Sequence, residues 1–376
     1  MNILILGADG YLGWPTALYF AKKRHKVYLV DDCSKRELEL ELGVSPIAPI
    51  VDFSDRGWLL TNDHPYHIDL ASDGAYDILV SILAGREIDT VIHYAEQPSA
   101  PYSMRSRNAC IATQQRNIIG TLNLMFAVRH VNPDIHIIKL GTMGEYGTPN
   151  IDIEEGWLDV EHNGRKDRVL YPKKPGSFYH LSKVADSNNL EFATRCWGLR
   201  VTDLNQGIVY GTSTGESKLG TDCGTSFHYD ETFGTVLNRF IVQSLLKQYL
   251  SVYGVGGQTR GFLDIRDTLR CVEIAANIKA EPGEFRVRNQ FTSQWSVNGL
   301  ASLVTTSIGG KIYHHDNPRV EEEEHYYNAK NDSFLLDGLD PYPLNSVQVA
   351  NMATNIEPYL DNVNLEWLKP QTLWRQ

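Results

Sequence analysis

Gly7-Ala8-Asp9-Gly10-Tyr11-Leu12-Gly13 is the stretch whose reading decides the fold. It follows Ile3–Leu6, a short apolar run that reads as a buried parallel strand. Leu12–Arg24 reads as a helix, and Lys26–Val30 as a second strand ending in Asp31-Asp32. Strand, glycine turn, helix and strand within about 30 residues form the unit of a βαβ crossover. The glycines divide the work. One permits the tight turn, one lets the backbone approach a pyrophosphate, and one lets the helix pack on the strand. The helix N-terminus then stabilises the anion. Asp31, about 20 residues on, can accept hydrogen bonds from ribose hydroxyls and repels a 2′-phosphate. The implied cofactor is NAD, bound by Gly7, Asp9, Gly10, Tyr11, Leu12, Gly13, Asp31 and Asp32. Lys35 and Arg36 lie close enough to soften the preference over NADP, and Arg36 is counted with the cofactor residues. Asp69-Leu70, after Tyr66-His67-Ile68, are placed to flank the adenine.

Outward from this unit, strand-like runs recur at Thr90–His93, Ile135–Leu140 and Leu199–Leu204. Helical stretches lie between them, over about 107–130 and 177–197. The alternation predicts an α/β fold, a Rossmann-type doubly wound parallel sheet. Beyond about residue 205 the regularity fades. Gly211–Asp230, rich in Gly, Ser, Thr and Asp, reads as a long binding loop or lid. Glycines mark further turns at Gly254–Gly257 and Gly309-Gly310. The expected division is an NAD-binding part over 1–204 and a smaller, more irregular part over 205–376 that binds mainly the substrate. Some segments of the second part return to the first.

The 376 residues suffice for about two domains, and 42% hydrophobic with 22% charged residues is ordinary for a globular chain. The net charge of −11 argues against a duplex-binding role, since no basic excess is present to neutralise phosphates. An anionic small substrate stays open, because a few arginines in one cleft suffice. Five cysteines, Cys33, Cys110, Cys196, Cys223 and Cys271, are scattered, and none forms a CxxC pair. No disulfide framework or zinc site is expected, and a cytoplasmic location fits. The N-terminus runs straight into the first strand and reads as lacking a signal peptide. No apolar run reaches the ~18 residues of a membrane span. Glu321–Glu324 reads as a solvated charge run, and His314-His315 lacks ligand partners at metal spacing. No metal, membrane or nucleic-acid partner is expected.

Tyr179-His180-Leu181-Ser182-Lys183 places Tyr and Lys at i and i+4, on one helix face. A phenol titrating near ~10 is a poor base at neutral pH. A nearby ammonium and the positive nicotinamide favour the phenolate. Such a phenolate takes the proton from a sugar hydroxyl while its carbon gives hydride to NAD. Thr142, just past the Ile135–Leu140 strand, is placed to share that proton.

Taken together these features resemble the extended short-chain dehydrogenase/reductases, and more narrowly the UDP-sulfoquinovose synthase family. The residues that carry the narrower match are Gly10-Tyr11-x-Gly13-Trp14, Glu96-Gln97-x-Ser99-Ala100-Pro101-Tyr102-Ser103-Met104 and the run from Gly141-Thr142-Met143-Gly144-Glu145-Tyr146 to Gly156. Ser177–Lys183, Thr202–Gly207, Gly256-Gly257-Gln258-Thr259-Arg260-Gly261, and Asn317–Glu321 running on to His325–Asn328 complete it. The resemblance implies tightly bound NAD, UDP-glucose as substrate, and sulfite, free or delivered by a donor protein. It implies C4 oxidation, loss of water across C5 and C6, sulfite addition at C6 and return of the hydride to C4. Asn117 joins the cofactor residues on the same ground.

Related 4,6-dehydratases carry Thr-Asp-Glu where this chain has Thr142-Met143-Gly144, so the usual acid and base are missing. Glu145 and His180 are the candidates to replace them. Glu145 fits a structural role equally well, and His180 either helps place the sulfite or packs. Asn205, Arg260 and Arg319 match the branch's pyrophosphate ligands, and Tyr326 matches the same pattern. Gln97, Ser99 and Tyr102 are expected to line the hexose pocket, with Gln206 opposite. Pro98 departs from the arginine of plant synthases. Two rivals stand beside this reading. A UDP-hexose 4-epimerase would share NAD, Tyr179 and Lys183. A non-catalytic NAD-binding regulator would be expected to have lost Tyr179, Lys183 or Thr142. A homodimer through the helices near 107–130 and 177–197 is the family habit.

Overall fold

The computed structural model describes residues 1–320, 325–370, 372 and 374. Its centre is a seven-stranded sheet. The strands, from one edge to the other, are Phe285–Gln290, Arg200–Gln206, His136–Thr142, Thr90–His93, Asn2–Leu6, Lys26–Asp31 and Tyr66–His67. Every neighbouring pair runs parallel. The order of the chain reverses at Asn2–Leu6, between Lys26–Asp31 on one side and Thr90–His93 on the other. In open parallel sheets that switch point is where a crevice opens beyond the strand ends.

Both faces of the sheet are covered, as its apolar strands demand. On one face Leu4, Val91 and Ile137 pack against Leu79, Leu124 and Leu190 of three helices, Ala75–Gly85, Gly120–Val131 and Phe178–Trp197. On the other, Ile3, Ile5 and Ile138 meet Ala17 and Phe20 of Gly13–Lys22, and Val272 and Ala276 of Ile265–Asn277.

Two sequence expectations are corrected here. The stretch read as one helix over about 107–130 is Arg107–Gln114, a π-helical turn Gln115–Ile119, and Gly120–Val131. The extra residue of a π turn re-aims side chains. Buried Asn117 on this turn accepts from the backbone N–H of Gln97 at 2.8 Å and donates to Ser182 Oγ at 2.8 Å.

The second correction concerns the C-terminal part, which is more regular than expected. Helices Val236–Leu245, Val297–Ile308 and Ser346–Ile356 build a second core around Phe240, Leu300, Val304 and Met352. Val297–Ile308 is rich in Ser, Thr, Gly and β-branched residues, all weak helix formers. Burial of Leu300, Ala301 and Val304 holds it instead. Gly211–Asp230 forms no helix or long strand, yet it is anchored. Tyr11 donates its hydroxyl to Gly211 O at 2.7 Å, and Thr225 Oγ1 donates to Tyr11 O at 2.7 Å. No helix of the described residues is long and apolar enough to cross a membrane.

Candidate active site

The glycine turn does what its spacing asks. Gly7 has φ +80, and a Cβ on it would stand 2.6 Å from Ala95 N. A Cβ on Gly13 would stand 2.0 Å from Gly7 O, so this glycine lets the helix close onto the turn. Gly10 would meet only Gly7 O, at 3.4 Å, and faces open space. That is the backbone approach a pyrophosphate needs, in front of a helix start whose first N–H groups have no helical acceptor. Asp31 closes the other side. Its carboxylate accepts from the backbone N–H groups of Asp9 and Cys33, both at 2.8 Å. Burial and the Asp9 carboxylate push its pKa up to about 7, against the pull of those two N–H groups. Asp9 is tied to Arg36 at 2.6 Å and to buried Arg56. Arg56 lies over the Trp14 ring at 4.4 Å, so the turn rests on a fixed ionic floor.

A single cavity of about 610 Å³ runs on from this turn. Gly7, Asp9, Gly10, Tyr11, Leu12, Gly13, Asp31, Asp32, Arg36, Asp69 and Leu70 all line it, as expected of a cofactor site. So do Gln97, Ser99, Thr142, Tyr179, His180, Gln206, Arg260 and Arg319. The glycine turn, the tyrosine and the two arginines therefore open on one space. The turn, Asp31 and the helix start are a chemically fitting cradle for a dinucleotide.

Thr142 caps the short turn Met143–Glu145, its Oγ1 accepting from Gly144 N at 3.1 Å. His180 is held by Ser177, whose Oγ lies 3.0 Å from Nδ1. Burial, then Arg260 and Arg319, lower the His180 pKa to about 3, so its ring is neutral. Ser99 spends its hydroxyl locally. It donates to Thr232 O at 2.5 Å and caps the helix Ala100–Arg105.

Six of the expected side chains do not line the cavity. Lys183 lies behind Tyr179, with Nζ donating to Leu140 O at 2.5 Å and paired with Glu96. Its Nζ is 5.8 Å from the Tyr179 ring centre. The Tyr179 phenol is not lowered in this protein alone. Burial and the Glu96 and Glu145 carboxylates raise it. Glu145 is sealed inside. Oε1 accepts from Thr142 N at 3.1 Å and Lys139 Nζ at 3.4 Å; Oε2 accepts from Ser187 Oγ at 2.9 Å and pairs with Lys173. Burial would raise its pKa, but Lys139 and Lys173 bring it down to about 2. Such a carboxylate is a charge-balanced strut, with no route to a sugar.

Asn205 is buried in the strand Arg200–Gln206, donating to Tyr146 OH at 2.8 Å. Its neighbour Gln206 reaches the cavity, because successive residues of a strand face opposite sides. Tyr326 is half exposed and donates to Asp152 Oδ1 at 2.6 Å; Tyr327 lines the cavity in its place. Asn117 and Tyr102 also lie outside the wall. Glu321–Glu324 falls outside the described residues. Among those described, no cluster of three or more His, Cys, Asp or Glu side chains is placed to hold a metal.

Sequence reasoning passed over several groups on the wall. Arg239 Nε, Tyr253 OH and Gln258 Oε1 are buried polar atoms on the wall shared with Arg260 and Arg319, and none has a hydrogen-bond partner among the described residues. Buried polar groups are seldom left so, and a cluster of them on a cavity wall marks where a polar ligand docks. Gln258 and Tyr327 sit inside the quoted motifs and were within reach of that reading. Arg239 lies in an ordinary amphipathic helix, where nothing local sets it apart. Glu96 was likewise in plain view, at the end of a strand run.

The family model described as "NAD dependent epimerase/dehydratase family" matches residues 3–287. A Spinacia oleracea protein named UDP-sulfoquinovose synthase, chloroplastic, is 45% identical over all of this chain and 79% of its own length. A Sulfolobus acidocaldarius protein named UDP-sulfoquinovose synthase is 39% identical over all of this chain and 98% of its own. Among solved structures, a Thermotoga maritima UDP-glucose 4-epimerase with UDP-glucose superimposes with a TM-score of 0.72 at 19% identity. That match covers 96% of this chain and all of the other, and shows a shared fold.

Proposed function

Because the chain belongs to the NAD-dependent epimerase/dehydratase family and, within it, to the UDP-sulfoquinovose synthases, we propose that it converts UDP-glucose and sulfite to UDP-sulfoquinovose. It is an NAD-dependent enzyme of nucleotide sugars. The observation that carries the finer reading is the one cavity joining the glycine turn, Tyr179 and the Arg260–Arg319 wall. A dinucleotide and a sugar nucleotide laid end to end would meet at Tyr179.

When bound, NAD supplies the acceptor for the C4 hydride and a positive charge beside the tyrosine. The rest is the work of the chain. Tyr179 takes the proton from the C4 hydroxyl, and Thr142 shares the hydrogen bond to that oxygen. Lys183, behind the tyrosine, keeps a cation near the oxygen that becomes negative. The C4 ketone acidifies C5, water leaves from C5 and C6, and the enone accepts sulfite at C6. Arg260 and Arg319 hold the diphosphate, since guanidinium grips phosphate with paired hydrogen bonds. Arg239 and Gln258 join them with their unsatisfied polar atoms.

A 4-epimerase is the second reading, favoured by the missing carboxyls at Met143 and Gly144 and by the shared fold. Substrate labelled with deuterium at C4 tests the common first step. The account expects the label to return to C4 of a sulfonated sugar with its gluco configuration kept. Label returned on the opposite face, giving a galacto sugar, would favour the epimerase. Label never transferred would leave a protein that binds NAD without using it.

A further inference from the structure

Glu96 is the carboxylate on the cavity wall that is paired with Lys183, the lysine behind the reacting tyrosine. It directly follows Ala95, whose backbone N–H packs against Gly7, so it sits at the floor of the cleft where the glycine turn and the reacting tyrosine converge. Its side chain is 2% exposed and lines the cavity with Tyr179, Leu140 and Gln97. It pairs closely with the Lys183 ammonium, and among the described residues no second donor reaches its oxygens. The other carboxylates on the wall are held by other partners. Asp9 accepts from Arg36, Asp31 from Asp9 N, Asp32 from Ser34 N, Glu39 from Lys35, Asp69 from Ala71 N and Glu231 from Thr372 N. A buried carboxylate held by one ammonium and facing a reaction cavity is a candidate acid or base. Burial raises the Glu96 pKa, and Lys183 with Lys139 offsets this only in part. The two other candidates fit less well. Glu145 is sealed by four donors, and His180, its pKa lowered to about 3 by burial and by Arg260 and Arg319, is a weak base for the C5 proton.

We propose that Glu96 is the proton shuttle of the dehydration: it takes the C5 proton of the 4-keto hexose and delivers it to the departing C6 hydroxyl. The proposal rests on the synthase reading above. In the step, the C5–H bond breaks and its electron pair becomes the C5–C6 double bond. The C6–O bond breaks with its pair on oxygen, which takes the proton from the Glu96 carboxyl. One water leaves and Glu96 ends as it began. Lys183 steadies the carboxylate between the two transfers, so one carboxyl does what two residues do in the dehydratases that the chain resembles.

The test follows exchange rather than product. Protein purified with its cofactor is given UDP-glucose in deuterated water without sulfite, and C5 exchange is read by NMR and mass spectrometry as loss of the C5 hydrogen, either to the 5,6-ene or to deuterium in recovered UDP-glucose. Reduced nicotinamide is followed in parallel by its near-ultraviolet absorbance. In E96Q, cofactor reduction should stay within about threefold of wild type while C5 exchange falls at least ~100-fold, the scale of a lost acid–base group. E96D, which keeps a carboxylate on a shorter stem, should restore part of the exchange. Unchanged C5 exchange in E96Q would overturn the proposal. So would joint loss of cofactor reduction and exchange in both folded variants, since Glu96 would then act by positioning Lys183. If wild type reduces its cofactor but forms no 5,6-ene and exchanges no C5 hydrogen, the synthase reading itself falls, and the role of Glu96 with it.

Discussion

The imidazole of His180 fills the space in front of Gly144: a Cβ built on that glycine would stand 2.3 Å from Nε2. In the dehydratases that the chain resembles, this position carries a glutamate. Here no side chain fits until the ring moves, so the missing carboxyl and the histidine are one structural choice. Ser177 holds the ring from the other side. We expect G144A to push His180 off its seat and lower kcat/KM by roughly 10- to 100-fold, with an overpacking cost of about 1–3 kcal/mol. G144A in an H180A background should cost little more than H180A alone. A double-mutant cycle on kcat/KM and Tm measures this, and additive effects would mean the two residues act separately.

Tyr179 should carry the hydride step without carrying the cofactor. Y179F removes one oxygen and leaves the buried ring in place. Its turnover should fall by about 10²–10⁴-fold, while NAD released on denaturation stays at the wild-type level. Loss of bound NAD in Y179F would assign the residue to binding.

Glu145 should prove structural. In E145Q, buried Lys173 loses its anionic partner, while Lys139 keeps Asp203. Leaving a buried charge uncompensated costs roughly 3–5 kcal/mol, so urea unfolding should show the loss directly. The sign with pH follows from the lowered pKa. This carboxylate stabilises the fold above its unfolded value of ~4.3, and that contribution is lost as pH falls toward its folded value of about 2. A stable E145Q with slow turnover would point instead to a catalytic role.

Asp31 gives the opposite sign. Its carboxyl titrates at about 7 in the folded chain, against ~3.9 unfolded. Between these values the folded chain holds a proton that the unfolded chain has lost, so cofactor-free stability falls as pH rises through that window. Ribose hydroxyls need the ionised form as acceptor. NAD affinity should therefore weaken below pH about 7, by up to about tenfold per unit. D31N should bind NAD weakly and without that pH dependence, as calorimetry at several pH values would show. A pH-independent wild-type affinity would contradict the role given to Asp31.

The cofactor half was legible because its chemistry is local. A strand, three glycines and an acid lie within one short stretch, and each constrains backbone that the sequence displays directly. Five of the sheet's seven strands followed from the same logic, but Tyr66–His67 is too short and Phe285–Gln290 too polar to read as an apolar run. The substrate half was less so. Asn205 and Gln206 are adjacent, and only the strand's facing decides which reaches the cavity. Tyr326 and Tyr327 pose the same ambiguity in irregular backbone. Glu145 carried the right charge in the right motif, but its burial among Lys139, Lys173 and Ser187 depends on segments far apart in the chain. Arg239 was invisible for the converse reason: an arginine in an amphipathic helix reads as surface until the fold turns it inward.

The most direct test of the account is a single comparison. The purified protein is incubated with UDP-glucose, with and without sulfite, and the sugar nucleotide is followed by mass spectrometry. The expected product carries sulfonate in place of a hydroxyl, forms only with sulfite present and is blocked in Y179F. Conversion to UDP-galactose without sulfonate, whether or not sulfite is added, would contradict it.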